Sequence, residues 1–140
     1  MAVHPIERKV GAMDMLLRSA VLVAGLATYF GVLRLLGDSA GDPNIGAGLL
    51  AFVLIVVVAG VWGFLDGRRL PLGRVVRVWA VAGAAVGLVQ VGLVAWNDGE
   101  WDGSVIAADL LVLFPFMVGL VLVPAVVGAA VGSTRPVTAP

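Results

Sequence analysis

Four apolar stretches, each about as long as a bilayer crossing, fill most of this chain and leave only short connections between them. A hydrocarbon slab of roughly 30 Å needs about 20 helical residues at 1.5 Å each. The stretches run from about Leu16 to Leu36, Ile45 to Leu65, Val75 to Trp96 and Val105 to Val131. Runs such as Phe52 to Ala59 are apolar at every position, whereas a membrane barrel alternates apolar and polar residues. Helices are the other way to satisfy a backbone in lipid. The sequence therefore predicts an all-α, polytopic membrane protein: a single integral membrane domain over residues 1–140, built as a four-transmembrane-helix bundle. With 61% hydrophobic and 13% charged residues, a soluble chain of this length could not hide its apolar surface.

The net charge is zero, yet the charges are sorted along the chain. Arg8, Lys9 and Arg18 precede or open the first span, Arg68, Arg69, Arg74 and Arg77 lie around the second connection, and Arg135 follows the fourth span. Of the nine Lys and Arg residues, Arg34 alone falls at the other end. The connections at that end hold Asp38, Asp42, Asp98, Glu100 and Asp102. Basic residues of short loops stay in the cytoplasm, so both termini are expected there, with the chain crossing a bacterial plasma membrane several times. The bacterial origin is an expectation from the bias to Arg, Val, Ala and Gly, which suits a GC-rich genome. The arginine cluster is mainly a topology signal and should also meet anionic lipid headgroups.

Trp62, Trp79, Trp96 and Trp101 all fall near predicted span ends, where an amphipathic indole prefers the interface. Gly37, Asp42-Pro43, Asp66-Gly67, Pro71 and Asp98-Gly99 supply helix stops and turns. The first span is longer than a signal peptide's apolar core, contains Arg34 and lacks a small-residue cleavage site, so it is expected to be retained. There is no cysteine and therefore no disulfide or thiolate chemistry. His4 stands without partners for acid-base or metal work. No nucleophile triad, nucleotide loop or paired-carboxylate arrangement is present. The expectation is a protein that is not an enzyme, holds no cofactor or metal and binds no nucleic acid.

Lipid removes the hydrophobic drive between helices and leaves packing and hydrogen bonds to assemble them. Ala80, Gly83, Ala84 and Gly87 form one small-residue stripe on the third span, and Ala125, Gly128 and Gly132 a second on the fourth. Either stripe suits the interior of the bundle or an interface between subunits. Thr28 and Tyr29 of the first span read as packing residues. Polar groups inside the slab are costly unless paired. At 1.5 Å per residue, Asp109 lies about 6 Å below the start of span four and Arg34 about 3 Å below the end of span one. The matching depths predict an ion pair, with outward snorkelling of Arg34 and hydration of Asp109 as the alternative. Gln90 lies about 9 Å inside span three. Pro115 frees the carbonyl of Leu111 at a similar depth, which predicts a contact between that carbonyl and the Gln90 amide. Pro115 and Pro124 should also kink span four, as hinges or cavity walls.

Val61-Trp62-Gly63-Phe64-Leu65-Asp66-Gly67-Arg68, together with Val32 to Leu35 and the Val126 to Gly132 segment, resembles a family of small actinobacterial four-helix membrane proteins grouped with bacterial drug/metabolite transporters. The likeness runs over most of the chain, and its distinctive motif is Trp-Gly-x-x-Asp-Gly-Arg. It implies transport of small molecules but carries over no cargo site. The chain also resembles the small multidrug exporters in size and helix number. It lacks the glutamate those proteins carry in their first helix, and its one-sided basic residues disfavour insertion in two orientations.

Two functions follow as expectations. One is transport of small lipophilic molecules or metabolites by a parallel homo-oligomer, using the patch of Gln90, Asp109 and Arg34. The other is a noncatalytic scaffold or accessory subunit that packs in the bilayer against another membrane protein.

Overall fold

The computed structural model describes residues 5–35, 45–98 and 101–134, and the side chains within them except at 5–12, 33–35, 45, 47, 97 and 98. It consists of four helices: α1 (Pro5–Leu35), α2 (Ile45–Gly67), α3 (Leu72–Asp98) and α4 (Gly103–Ser133). All four are long and apolar enough to cross a membrane, and no strand occurs among the described residues. The fold is the four-helix membrane bundle that the apolar stretches predict.

The helices outrun the apolar stretches, because a helix continues past the hydrocarbon wherever its backbone can stay paired. α1 starts at Pro5, eleven positions ahead of the expected Leu16. Proline suits a first helical position, where its missing N–H costs nothing and its fixed φ is already helical. At the other end of α2, the Asp66 carbonyl accepts the amides of Arg69 (2.9 Å) and Leu70 (2.8 Å), and after Pro71 the chain enters α3. α4 runs unbroken through Pro115 and Pro124. Its N-cap is Asp102, which accepts the Ser104 amide and hydroxyl, each at 2.7 Å. Those bonds hold the Asp102 carboxyl below its usual range.

Helices adjacent in sequence are not, for the most part, neighbours in space. The packing order is α2–α4–α3–α1, while α2 barely touches α1 or α3. The α2–α4 contact explains the abundance of glycine. A Cβ at Gly63 or Gly67 would overlap the backbone of Ala125 or Ala129, and one at Gly128 or Gly132 would overlap that of Gly60 or Phe64. These pairings run in one direction, so α2 and α4 are parallel and their backbones nearly touch. Such an approach is open only to residues without a side chain and replaces the missing hydrophobic drive with van der Waals contact. On the other side of α4, Gly83 faces Val118 and Gly87 meets the Phe114 ring in antiparallel order. Both glycine stripes thus lie inside the bundle. Ala80 and Ala84 flank the α3 stripe, half-buried.

The core is assembled around α3 and α4 from Val75, Trp79, Ala82, Val86, Val121, Ala125 and Ala129, with Ile55 and Ala59 from α2 and Leu22 from α1. Large apolar side chains such as Leu49, Leu88, Leu111, Val112 and Val123 point outward, as expected when the surrounding medium is itself hydrocarbon. Trp96 and Trp101 are also outward-facing, at 73% and 64% exposure, as interfacial indoles should be. Trp79 is a correction to the interfacial reading: its exposure is 0% and it sits in the core. Thr28 likewise faces outward, not into a contact.

Two outcomes test this architecture. Gly63→Ala should destabilise the bundle by about 1–3 kcal/mol, because its methyl has no room. Gly92→Ala, whose Cβ would meet nothing within 4 Å, should be neutral or stabilising by up to about 1 kcal/mol. Denaturation in mixed micelles measures both. At the α4 N-terminus, the Asp102 cap lowers that group's pKa on folding, so it helps above the unfolded value of about 4 and is lost as pH falls through the folded one. Hydrogen-exchange protection of the Ser104 amide should therefore fall on acidification, and in Asp102→Asn it should lose that pH dependence.

Candidate functional site

Two features stand out against this frame: a buried polar cluster at the basic end, and an apolar groove between α1 and α2.

The polar cluster centres on Asp66. Arg18 of α1 donates Nη2 to Asp66 Oδ1 at 2.7 Å and Nε to Asp66 Oδ2 at 3.1 Å. Trp79 of α3 adds its indole N–H to Oδ2 at 2.9 Å. The carboxylate is thus held by two helices that α2 otherwise scarcely meets. Arg18 completes its own set by donating Nη1 to the Asp14 carbonyl at 2.9 Å, with the Asp14 carboxylate 4.0 Å away. Its guanidinium carbon also lies 5.4 Å from the Trp62 ring centroid, and Trp62 meets Trp79 edge to face at 5.9 Å. Arg18 and Asp66 are both only 6% exposed. Removing two charges from water costs several kcal/mol each unless geometry and added hydrogen bonds repay it. Here a forked guanidinium meets a carboxylate in two bonds, the strongest arrangement such groups offer.

The Trp-Gly-x-x-Asp-Gly-Arg motif acquires a physical meaning from these contacts. Gly63 and Gly67 present one face of α2 to α4, while Trp62 and Asp66 present another to α1 and α3. Arg68 is exposed beyond the helix end. Reading Arg18 as a topology signal and Asp66 as a turn former overlooked the pair. Matching depth was the available signal: Arg18 lies just inside the start of span one, Asp66 at the end of span two and Trp79 one turn into span three.

The expected polar patch lies partly outside the described residues. Arg34 belongs to α1, but its side chain lies outside the described residues, and so does the predicted pair with Asp109. Asp109 is half-buried on α4. No hydrogen bond joins Gln90 to the Leu111 carbonyl among the described residues; Gln90 Oε1 is buried without a partner, and the Leu111 side chain faces outward. Of the arginines at the α2–α3 connection, Arg68, Arg69 and Arg77 are exposed and Arg74 is half-buried, within reach of a headgroup layer.

The groove has a volume of about 260 Å³. It is lined by Val21, Gly25 and Tyr29 on α1 and by Ala51, Ile55 and Val58 on α2, among others. Every lining side chain is apolar apart from the Tyr29 hydroxyl, and neither Gln90 nor Asp109 reaches it. It lies at the depth of the membrane-spanning segments and is bounded by α1 and α2, which hardly touch. No family model, curated protein or solved structure matches the chain. Among the described residues no group of His, Cys, Asp and Glu could hold a metal.

Asp66→Leu should cost about 3–5 kcal/mol, because it leaves the Arg18 charge buried without a counterion. The double change Arg18→Met with Asp66→Leu should cost less than either single change. Unfolding of the four variants in mixed micelles, read as a double-mutant cycle, gives the comparison.

Proposed function

We infer that this small multi-pass membrane protein binds neutral lipophilic molecules from the hydrocarbon phase in its α1–α2 groove and acts as a transporter of them. The observation that carries this reading is the groove itself: apolar, at membrane depth and closed by no glycine contact between its two walls. A bilayer fills an apolar hollow with hydrocarbon or with a solute dissolved in it. The volume of about 260 Å³ lies just below the usual range for small-molecule sites. A cationic cargo is disfavoured, because no carboxylate lines the groove and Asp66 is committed to Arg18. The resemblance to four-helix drug/metabolite transporter-like proteins points the same way. In this reading the basic end faces the cytoplasm of a bacterium and the arginines of the α2–α3 connection lie against anionic headgroups.

Photolabelling in reconstituted bilayers tests the assignment. A neutral, diazirine-bearing lipophile should label the Val21–Tyr29 and Ala51–Val58 segments saturably, and excess unlabelled compound should suppress that signal. Gly25→Leu, which fills the groove, should weaken the saturable component at least tenfold, about 1.4 kcal/mol. Uniform, non-saturable labelling of all outward faces would overturn the reading. Copurification of one stoichiometric membrane partner would then favour the scaffold or accessory subunit.

A further inference from the structure

We propose that α1 is a latched lid over the groove: the Arg18–Asp66 pair holds it against the other helices, and release of that pair lets α1 move away from α2 and widen the opening. This deepens the groove reading and rests on it, since a lid has a use only where something enters.

Three observations converge. The contacts that interlock backbones join α2, α3 and α4, at Gly63, Gly67, Gly83, Gly87, Gly128 and Gly132. In α1 a Cβ at Gly25 or Gly31 would meet nothing within 4 Å. Three helices are therefore locked by close approach and the fourth is not. Secondly, α1 contacts α3 more than α2, and Leu22 and Leu26, which belong to or pack on the core, also line the groove that lies between α1 and α2. Thirdly, a charged tie joins α1 to α2 at the basic end of both helices, Arg18 with Asp66. A charged tie between a locked three-helix body and a helix without such close approach acts as a latch, and its release frees α1 to shift relative to α2.

Asp66 is met from α1 by Arg18, with Asp14 one turn before it, and from α3 by Trp79. The two Arg18 bonds and the indole N–H converge on one carboxylate, so the latch is a standing contact whose strength sets the resting position of α1.

The native chain contains no cysteine, so spin labels can be placed without interference. In the full-length protein in lipid nanodiscs, one pair is set at Val32 on α1 and Leu49 on α2, both outward-facing at the end away from the latch. A reference pair is set at Leu88 on α3 and Val123 on α4, also outward-facing. Pulsed electron spin resonance then gives the two distance distributions. In Arg18→Gln the α1–α2 pair should gain a longer component at no less than twice its wild-type population, while the reference pair is unchanged. Trp79→Phe, which removes one hydrogen bond and no charge, should raise the same component less and serves if Arg18→Gln does not fold. Distributions that superpose on the wild type in the variants that fold would overturn the lid. The measurement uses no cargo, so its outcome is separable from the photolabelling. A longer component without saturable labelling would sink the cargo reading alone, and saturable labelling with superposed distributions would sink the lid alone.

Discussion

The carboxylate of Asp66 binds together helices that packing leaves apart. α2 is fastened to α4 by backbone contact and meets α1 and α3 only slightly, yet its last turn receives a guanidinium from the first and an indole N–H from the second. Charged groups at this depth are tolerated only as mutual partners, and their preference for one another is directional in a way that apolar contact is not. The cluster therefore determines which side of α2 faces α1, and through that the walls of the groove.

Glycine does the complementary work. In lipid, two leucine-covered helices gain little by meeting, because each already touches hydrocarbon. Removing side chains at Gly63 and Gly67, and at Gly128 and Gly132, lets the α2 and α4 backbones approach, with Gly83 and Gly87 extending the arrangement to α3. The result is a rigid three-helix body with α1 laid against it. The same contrast is the physical basis on which cargo binding and motion are proposed for the α1 side.

The sequence made much of the site legible as parts but not as an assembly. Depth counting paired Arg34 with Asp109, and the same arithmetic applied to Arg18 and Asp66 identifies the pair that forms. It was obscured because both residues already had a sufficient explanation, Arg18 as a topology determinant and Asp66 as a turn former. Trp79 was hidden for a similar reason, since an indole near a span end suits an interface as well as a buried acceptor. Gln90 shows the limit of the same arithmetic: matching depth and a freed carbonyl leave its buried Oε1 without a hydrogen bond.

From the residues alone came the membrane-spanning helices, their number and approximate limits and the sorting of charge to one end. These are one-dimensional properties: span length is set by hydrocarbon thickness, and residue composition alone decides whether a segment can lie in it. The tertiary structure alone decided that α4 lies between α2 and α3, that both glycine stripes face inward, that Asp66 gathers Arg18 and Trp79, and that a groove remains beside α1. Those outcomes depend on the rotation of each helix about its axis and on which neighbour it meets. In a medium that rewards no apolar face over another, only close approach and polar pairing between residues far apart in sequence can set them.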